Sequence, residues 1–67
     1  MKIVAGIDIG NATTETALAR IDGNHVEFLA SGTVPTTGIK GTRQNINGVV
    51  HSLTKAMEKA GITLTEL

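Results

Sequence analysis

Asp8 stands inside an otherwise apolar run, Ile3-Val4-Ala5-Gly6-Ile7-Asp8-Ile9. The run breaks into a small polar turn, Gly10-Asn11-Ala12-Thr13, and from Thr14 a second extended segment begins. A strand of that composition is normally sealed on both faces, so a carboxylate within it is expected to be buried and to need a partner. The turn has what a phosphate group requires: a glycine that lets the backbone come close, successive N–H groups, and the small hydroxyls of Thr13 and Thr14. Beside such a site Asp8 could hold a hydrated Mg²⁺, a cation that prefers carboxylate oxygen and keeps most of its waters. The competing reading is a plain hairpin turn in which Asp8 caps backbone amides, because motifs this short also match by chance.

The elements that must position these residues are legible in the pattern. Strands are predicted over about residues 2–9, 14–21 and 25–34. Asp22-Gly23-Asn24 is a turn triplet of the kind that joins antiparallel neighbours. In the third strand, alternation places Val26, Phe28 and Ala30 on one face and Glu27 and Leu29 on the other. Pro35 ends it, having no N–H for the ladder. A helix is predicted over about residues 43–60, with Thr42 as N-cap and Gly61 just past the C-terminus. Ile46, Val49, Val50, Leu53, Met57 and Ala60 form its buried stripe, and Asn47, Thr54, Lys55, Glu58 and Lys59 its solvent face. Thr63-Leu64-Thr65-Glu66 has the form of a capping box that starts a further helical turn.

Sixty-seven residues allow one domain at most, with six basic and six acidic residues, no Cys, Trp or Tyr, and a single Phe. A unit of this size buries only about 60% of its unfolded-chain surface. The lack of Cys excludes a disulfide scaffold and a thiolate zinc site. Zero net charge argues against a nucleic-acid surface. No apolar run approaches the roughly 20 residues of a membrane span, and no signal-peptide pattern opens the chain. A soluble, cytoplasmic protein without nucleic-acid or membrane partners is expected. Three antiparallel strands and one amphipathic helix leave one sheet face uncovered. The chain is therefore expected to be the opening piece of a larger domain and, in isolation, to self-associate.

The segment from Gly6 to Glu15 resembles the first phosphate-binding motif of the actin/Hsp70/sugar-kinase ATPase superfamily. The α/β fold of that superfamily is ribonuclease H-like, a β-meander followed by a helix. Within it, Thr36-Thr37-Gly38-Ile39-Lys40-Gly41-Thr42, followed by Asn45-Ile46, resembles one branch over essentially the whole chain. That branch is the large subunit of the reactivating factor for adenosylcobalamin-dependent diol and glycerol dehydratases, whose N-terminal part this chain is similar to. The resemblance implies a chaperone with weak ATPase activity that releases damaged cobalamin from a dehydratase, with a small subunit and the dehydratase as partners. ATP or ADP and Mg²⁺ are the implied cofactors. Asp8 would orient the water shell of the Mg²⁺, and Gly10, Asn11, Ala12, Thr13 and Thr14 would meet the phosphates. Ala12 departs from the family's frequent hydroxyl residue, losing a side-chain contact but keeping the N–H. The family's second phosphate loop and adenosine segment have no counterpart in these 67 residues, so this chain alone is expected not to hydrolyse ATP.

Other residues carry less. Gly38 to Thr42 superficially suggests a Walker loop, but its spacing is wrong, and Lys40 reads as a loop cation. His25 and His51 lack ligand neighbours at metal spacing and read as surface residues. Glu15 reads as a solvated strand position, and Asn45 and Asn47 are assigned no chemistry. Two other function classes stay open. One is a hydantoinase- or oxoprolinase-type enzyme of the same superfamily. The other is a non-catalytic, self-associating module. A full-length reading frame would separate the first alternative, and titration with MgATP the second.

Overall fold

The computed structural model describes residues 2–38 and 43–67. Three strands, β1 (Lys2–Ile9), β2 (Thr13–Asp22) and β3 (His25–Pro35), precede helix α1 (Arg43–Ala60) and a 3₁₀ turn, Leu64–Glu66. Both strand pairs are antiparallel and the sheet order is β1-β2-β3, a meander. The predicted N-cap Thr42, the loop cation Lys40 and most of the Walker-like segment lie outside the described residues.

Asp22 pairs with His25 across a two-residue turn in which Gly23 has φ +60°. Glycine at the first central position is what this tight hairpin demands. At the far end of α1, Gly61 adopts φ +70°, its N–H bonding the Glu58 carbonyl at 3.3 Å while the Ile62 N–H bonds the Met57 carbonyl at 3.1 Å. This pair of bonds closes the helix as a Schellman motif. The predicted capping pair is present in the 3₁₀ turn, where the Thr63 N–H bonds Glu66 Oε1 at 2.9 Å.

Two side-chain placements differ from the alternation and period read in the sequence. In β3, Leu18 pairs with Ala30 but Ala19 pairs with Phe28, so a β-bulge leaves Leu29 without an opposite number. One extra residue inverts the alternation beyond it. Ala30 is consequently buried under the helix, whereas Val26 and Phe28 turn to the other face and stand 64% and 65% exposed. Glu27 then falls opposite Arg20 and accepts a 2.9 Å ion-pair bond from it.

The helix, too, is rotated from its predicted orientation. Its buried residues are Asn45, Gly48, Ser52 and Ala56, while Ile46 and Val50 remain 57% and 55% exposed. The reason is close approach at Gly32. A Cβ at that position would lie 2.5 Å from the Ser52 carbonyl oxygen and 2.8 Å from the Ala56 nitrogen. Only the small-residue side of α1 can come so near, and there a buried hydrogen bond of 2.7 Å joins Thr16 Oγ1 to Ser52 Oγ. Lys55, predicted on the solvent face, lies half-buried over the sheet, its Nζ bonding the Thr33 carbonyl at 3.2 Å.

Candidate phosphate-binding turn

The helix lies over β3 and β2 and scarcely reaches β1. As an edge strand with little above it, β1 is exposed from Ala5 to Asp8. Within these 67 residues Asp8 is therefore a surface carboxylate and not the sealed one that the apolar run suggests. The physical reason is that a three-stranded sheet gives β1 one strand neighbour and only partial helix cover. Asp8 is the direct cross-strand partner of Glu15, and like charges so placed repel. Glu15 is exposed, as its reading predicted, and accepts a long 3.4 Å bond from the Thr33 hydroxyl. His25 and His51 are exposed as well.

The turn between β1 and β2 is more organised than its sequence suggests. The Gly10 N–H bonds the Thr13 carbonyl at 2.8 Å, so this amide is occupied within the turn. Asn11, Ala12 and Thr13 are exposed. None of the turn bonds among the described residues uses the amides of Asn11 and Ala12. Gly10 is suited to its place, because a Cβ there would sit 3.0 Å from the Thr13 carbonyl oxygen. Thr14 is fully buried beneath the turn, and its hydroxyl lies 2.9 Å from that of Thr36. In this arrangement the Thr14 side chain supports the turn from below and does not face outward with Thr13.

Thr36 carries no role in the sequence reading, yet it makes two bonds to the turn and a third to Thr14 beneath it. Its hydroxyl donates to the Gly10 carbonyl at 2.7 Å and its N–H donates to the Ala12 carbonyl at 3.0 Å. The third bond is the one to Thr14. A hydroxyl has one proton, and that of Thr36 goes to Gly10, so Thr14 is the donor in the Thr14–Thr36 pair. Thr37 engages the helix instead. Its hydroxyl donates to the Gln44 carbonyl and accepts from the Gly48 N–H at 3.0 Å, and its carbonyl accepts from Asn45 Nδ2 at 3.1 Å. Asn45, assigned no chemistry above, is thereby buried and positional. The only trace of these roles in the sequence is the pair of adjacent threonines after Pro35.

Chemically, the turn presents exposed residues with free backbone N–H groups that begin three positions after an exposed carboxylate, and the described residues enclose no pocket. Among the described residues no group of three His, Cys, Asp or Glu comes together. The described residues contain no helix long and apolar enough to cross a membrane.

No family model matches the chain. The propanediol dehydratase-reactivating factor large subunits of Citrobacter freundii and Salmonella typhimurium are each 43% identical to it over 68 aligned positions. The diol dehydratase-reactivating factor large subunit of Klebsiella michiganensis is 41% identical. Each match covers 100% of this chain and 11% of the relative. A solved glycerol dehydratase reactivase matches with TM-score 0.86 at 49% identity, over 97% of this chain and 11% of that one. A diol dehydratase-reactivating factor solved in nucleotide-free form matches with TM-score 0.89 at 41% identity, over 100% of this chain and 11% of that one. The chain thus spans about 11% of the length of the relatives it matches. Across its whole length it is homologous in sequence, and alike in fold, to a segment of the large subunit of the diol and glycerol dehydratase reactivating factors.

Proposed function

We propose that this chain is the nucleotide-phosphate-binding segment of an ATP-dependent reactivating chaperone for adenosylcobalamin-dependent diol or glycerol dehydratase. The observation that carries the reading is whole-chain identity of 41–43% with reactivating-factor large subunits. The nucleotide half of the proposal is supported by the turn itself, whose exposed apex begins three residues beyond an exposed carboxylate. A diol dehydratase-reactivating factor solved in nucleotide-free form accords with it. Asn11, Ala12 and Thr13 would meet phosphate oxygens through their amides, with the Thr13 hydroxyl in support. Gly10 lets the chain turn tightly, and Asp8 would hold Mg²⁺ through its waters, a role for which a surface carboxylate is well placed.

A ribonuclease H-like, actin-type ATPase domain accommodates the meander and helix seen here. The small subunit of the factor and the dehydratase would be the partners, and the bacterial cytoplasm the compartment. Bound ATP would supply the phosphates that Asn11, Ala12 and Thr13 meet, and Mg²⁺ held through the waters of Asp8 would offset their charge. This chain contributes orientation and metal placement.

A binding measurement on the isolated chain tests the reading. An open rim without an adenosine pocket offers a few charge-assisted bonds of about 1.5–3 kcal/mol each, against an association cost of roughly 4 kcal/mol or more. MgATP should therefore bind no tighter than about millimolar, near −4 kcal/mol. Amide shifts should centre on Asn11, Ala12 and Thr13 and change little when GTP replaces ATP. Micromolar, adenine-selective binding would overturn the half-site account. The isolated chain should also self-associate, because Phe28, Val26, Ile46 and Val50 are exposed and β1 and β3 have open edges. Sedimentation that shows a stable monomer at high micromolar concentration would contradict this.

A further inference from the structure

We infer that Thr36 is the positioning residue of the phosphate-binding turn, holding its carbonyls back so that its amides face the ligand. The inference rests on the phosphate reading of the turn and adds a residue to it. A carbonyl oxygen pointing at a phosphate would repel it, so an anion-binding turn needs its carbonyls directed elsewhere. Thr36 takes two of them, that of Gly10 through its hydroxyl at 2.7 Å and that of Ala12 through its N–H at 3.0 Å. A planar trans peptide sets its N–H opposite its C=O. Tying these two carbonyls to Thr36 therefore turns the N–H groups of Asn11 and Thr13 to the opposite side.

The positioning residue is itself held. The buried Thr14 hydroxyl donates to Thr36 Oγ1, which aims the single Thr36 proton at Gly10. The next residue, Thr37, sets its hydroxyl between the Gln44 carbonyl and the Gly48 N–H of α1. A Cβ on Gly48 would lie 3.2 Å from that hydroxyl oxygen, so the helix meets this segment closely. The Thr36-Thr37 dipeptide thus fixes the turn to the first turns of the helix, and preorganised amides bind an anion better than mobile ones.

The test uses a full-length subunit with Thr36→Val, which keeps the shape and the N–H but removes the hydroxyl, and Thr36→Ser, which restores the hydroxyl. Binding of MgATP and of magnesium pyrophosphate is measured by calorimetry, with steady-state KM and kcat alongside and thermal unfolding as control. Thr36→Val should weaken both ligands about tenfold and raise KM in step, with kcat changed less, while Thr36→Ser stays within about twofold of the parent. If Thr36→Val is folded and binds as the parent does while Asp8→Ala binds weakly, the role of Thr36 is overturned and the phosphate reading stands. If Ser and Val weaken binding alike, the hydroxyl is not the agent and the inference fails. A parent subunit that binds neither ligand removes the phosphate reading and this inference with it. Should Thr36→Val not fold, Thr14→Val carries the test: it deletes the hydroxyl that donates to Thr36 and should weaken pyrophosphate about threefold. Unchanged binding there overturns the inference.

Discussion

Replacing Asp8 with Ala in a full-length subunit should abolish Mg²⁺-dependent ATP turnover, lowering it on the order of a hundredfold or more, while leaving the fold intact. A metal anchor supplies several kcal/mol of charge stabilisation and fixes the geometry of the phosphates. Asp8→Asn should be nearly as damaging, since the amide keeps the size and loses the charge. The structure sharpens the control. Asp8 is exposed on an edge strand directly opposite Glu15. Within these 67 residues its removal opens no cavity and relieves a like-charge pair, so the thermal stability of the isolated chain should hold or rise slightly. Loss of turnover in the full-length subunit, together with undiminished stability of the isolated chain, is the expected result. Parental ATP hydrolysis by either variant would show that Asp8 has no part in metal binding.

The largest effect on stability is expected at Gly32. A methyl group there would meet the Ser52 carbonyl and the Ala56 nitrogen at 2.5 and 2.8 Å, both helix backbone, and Lys55 Cβ at 2.8 Å. None of these atoms is the free end of a flexible side chain, so the helix must lift off the sheet. Such lifting strains the buried Thr16–Ser52 bond of 2.7 Å. Gly32→Ala should cost about 2–3 kcal/mol, the upper part of the overpacking range. For a unit of this size that lowers Tm by roughly 10–20 °C, a large fraction of its total stability. Urea unfolding followed by circular dichroism reads it directly. A variant as stable as the parent would mean that α1 does not seat on Gly32. Gly6→Ala is the internal control, because nothing lies within 4 Å of a Cβ there.

Local chemistry carried much of the architecture. Turn residues at Gly23 and Gly61, the Thr63–Glu66 capping pair and the change from a period of two to one of three to four are decided within a few residues of chain. They marked where strands, hairpin and helix lie. The position of the candidate site was legible for the same reason: glycine and small polar residues between two strands are a local signal. Orientation was not local. An alternating strand pattern assumes an unbroken ladder, and the bulge between Leu18 and Ala19, visible only in pairing with β2, turned Val26 and Phe28 away from Ala30. Helical period identified an apolar stripe, but which side of α1 meets the sheet was decided by the missing Cβ of Gly32, eleven residues upstream of the helix. That close approach favoured Gly48, Ser52 and Ala56 over Ile46 and Val50. Burial of Asp8 depended on how far the helix extends across the sheet, which no stretch of β1 encodes. Thr36 belongs to the same class. Its grip on Gly10, Ala12 and Thr14 joins residues more than twenty positions apart, and tertiary folding alone brings their carbonyls and hydroxyls within hydrogen-bond reach.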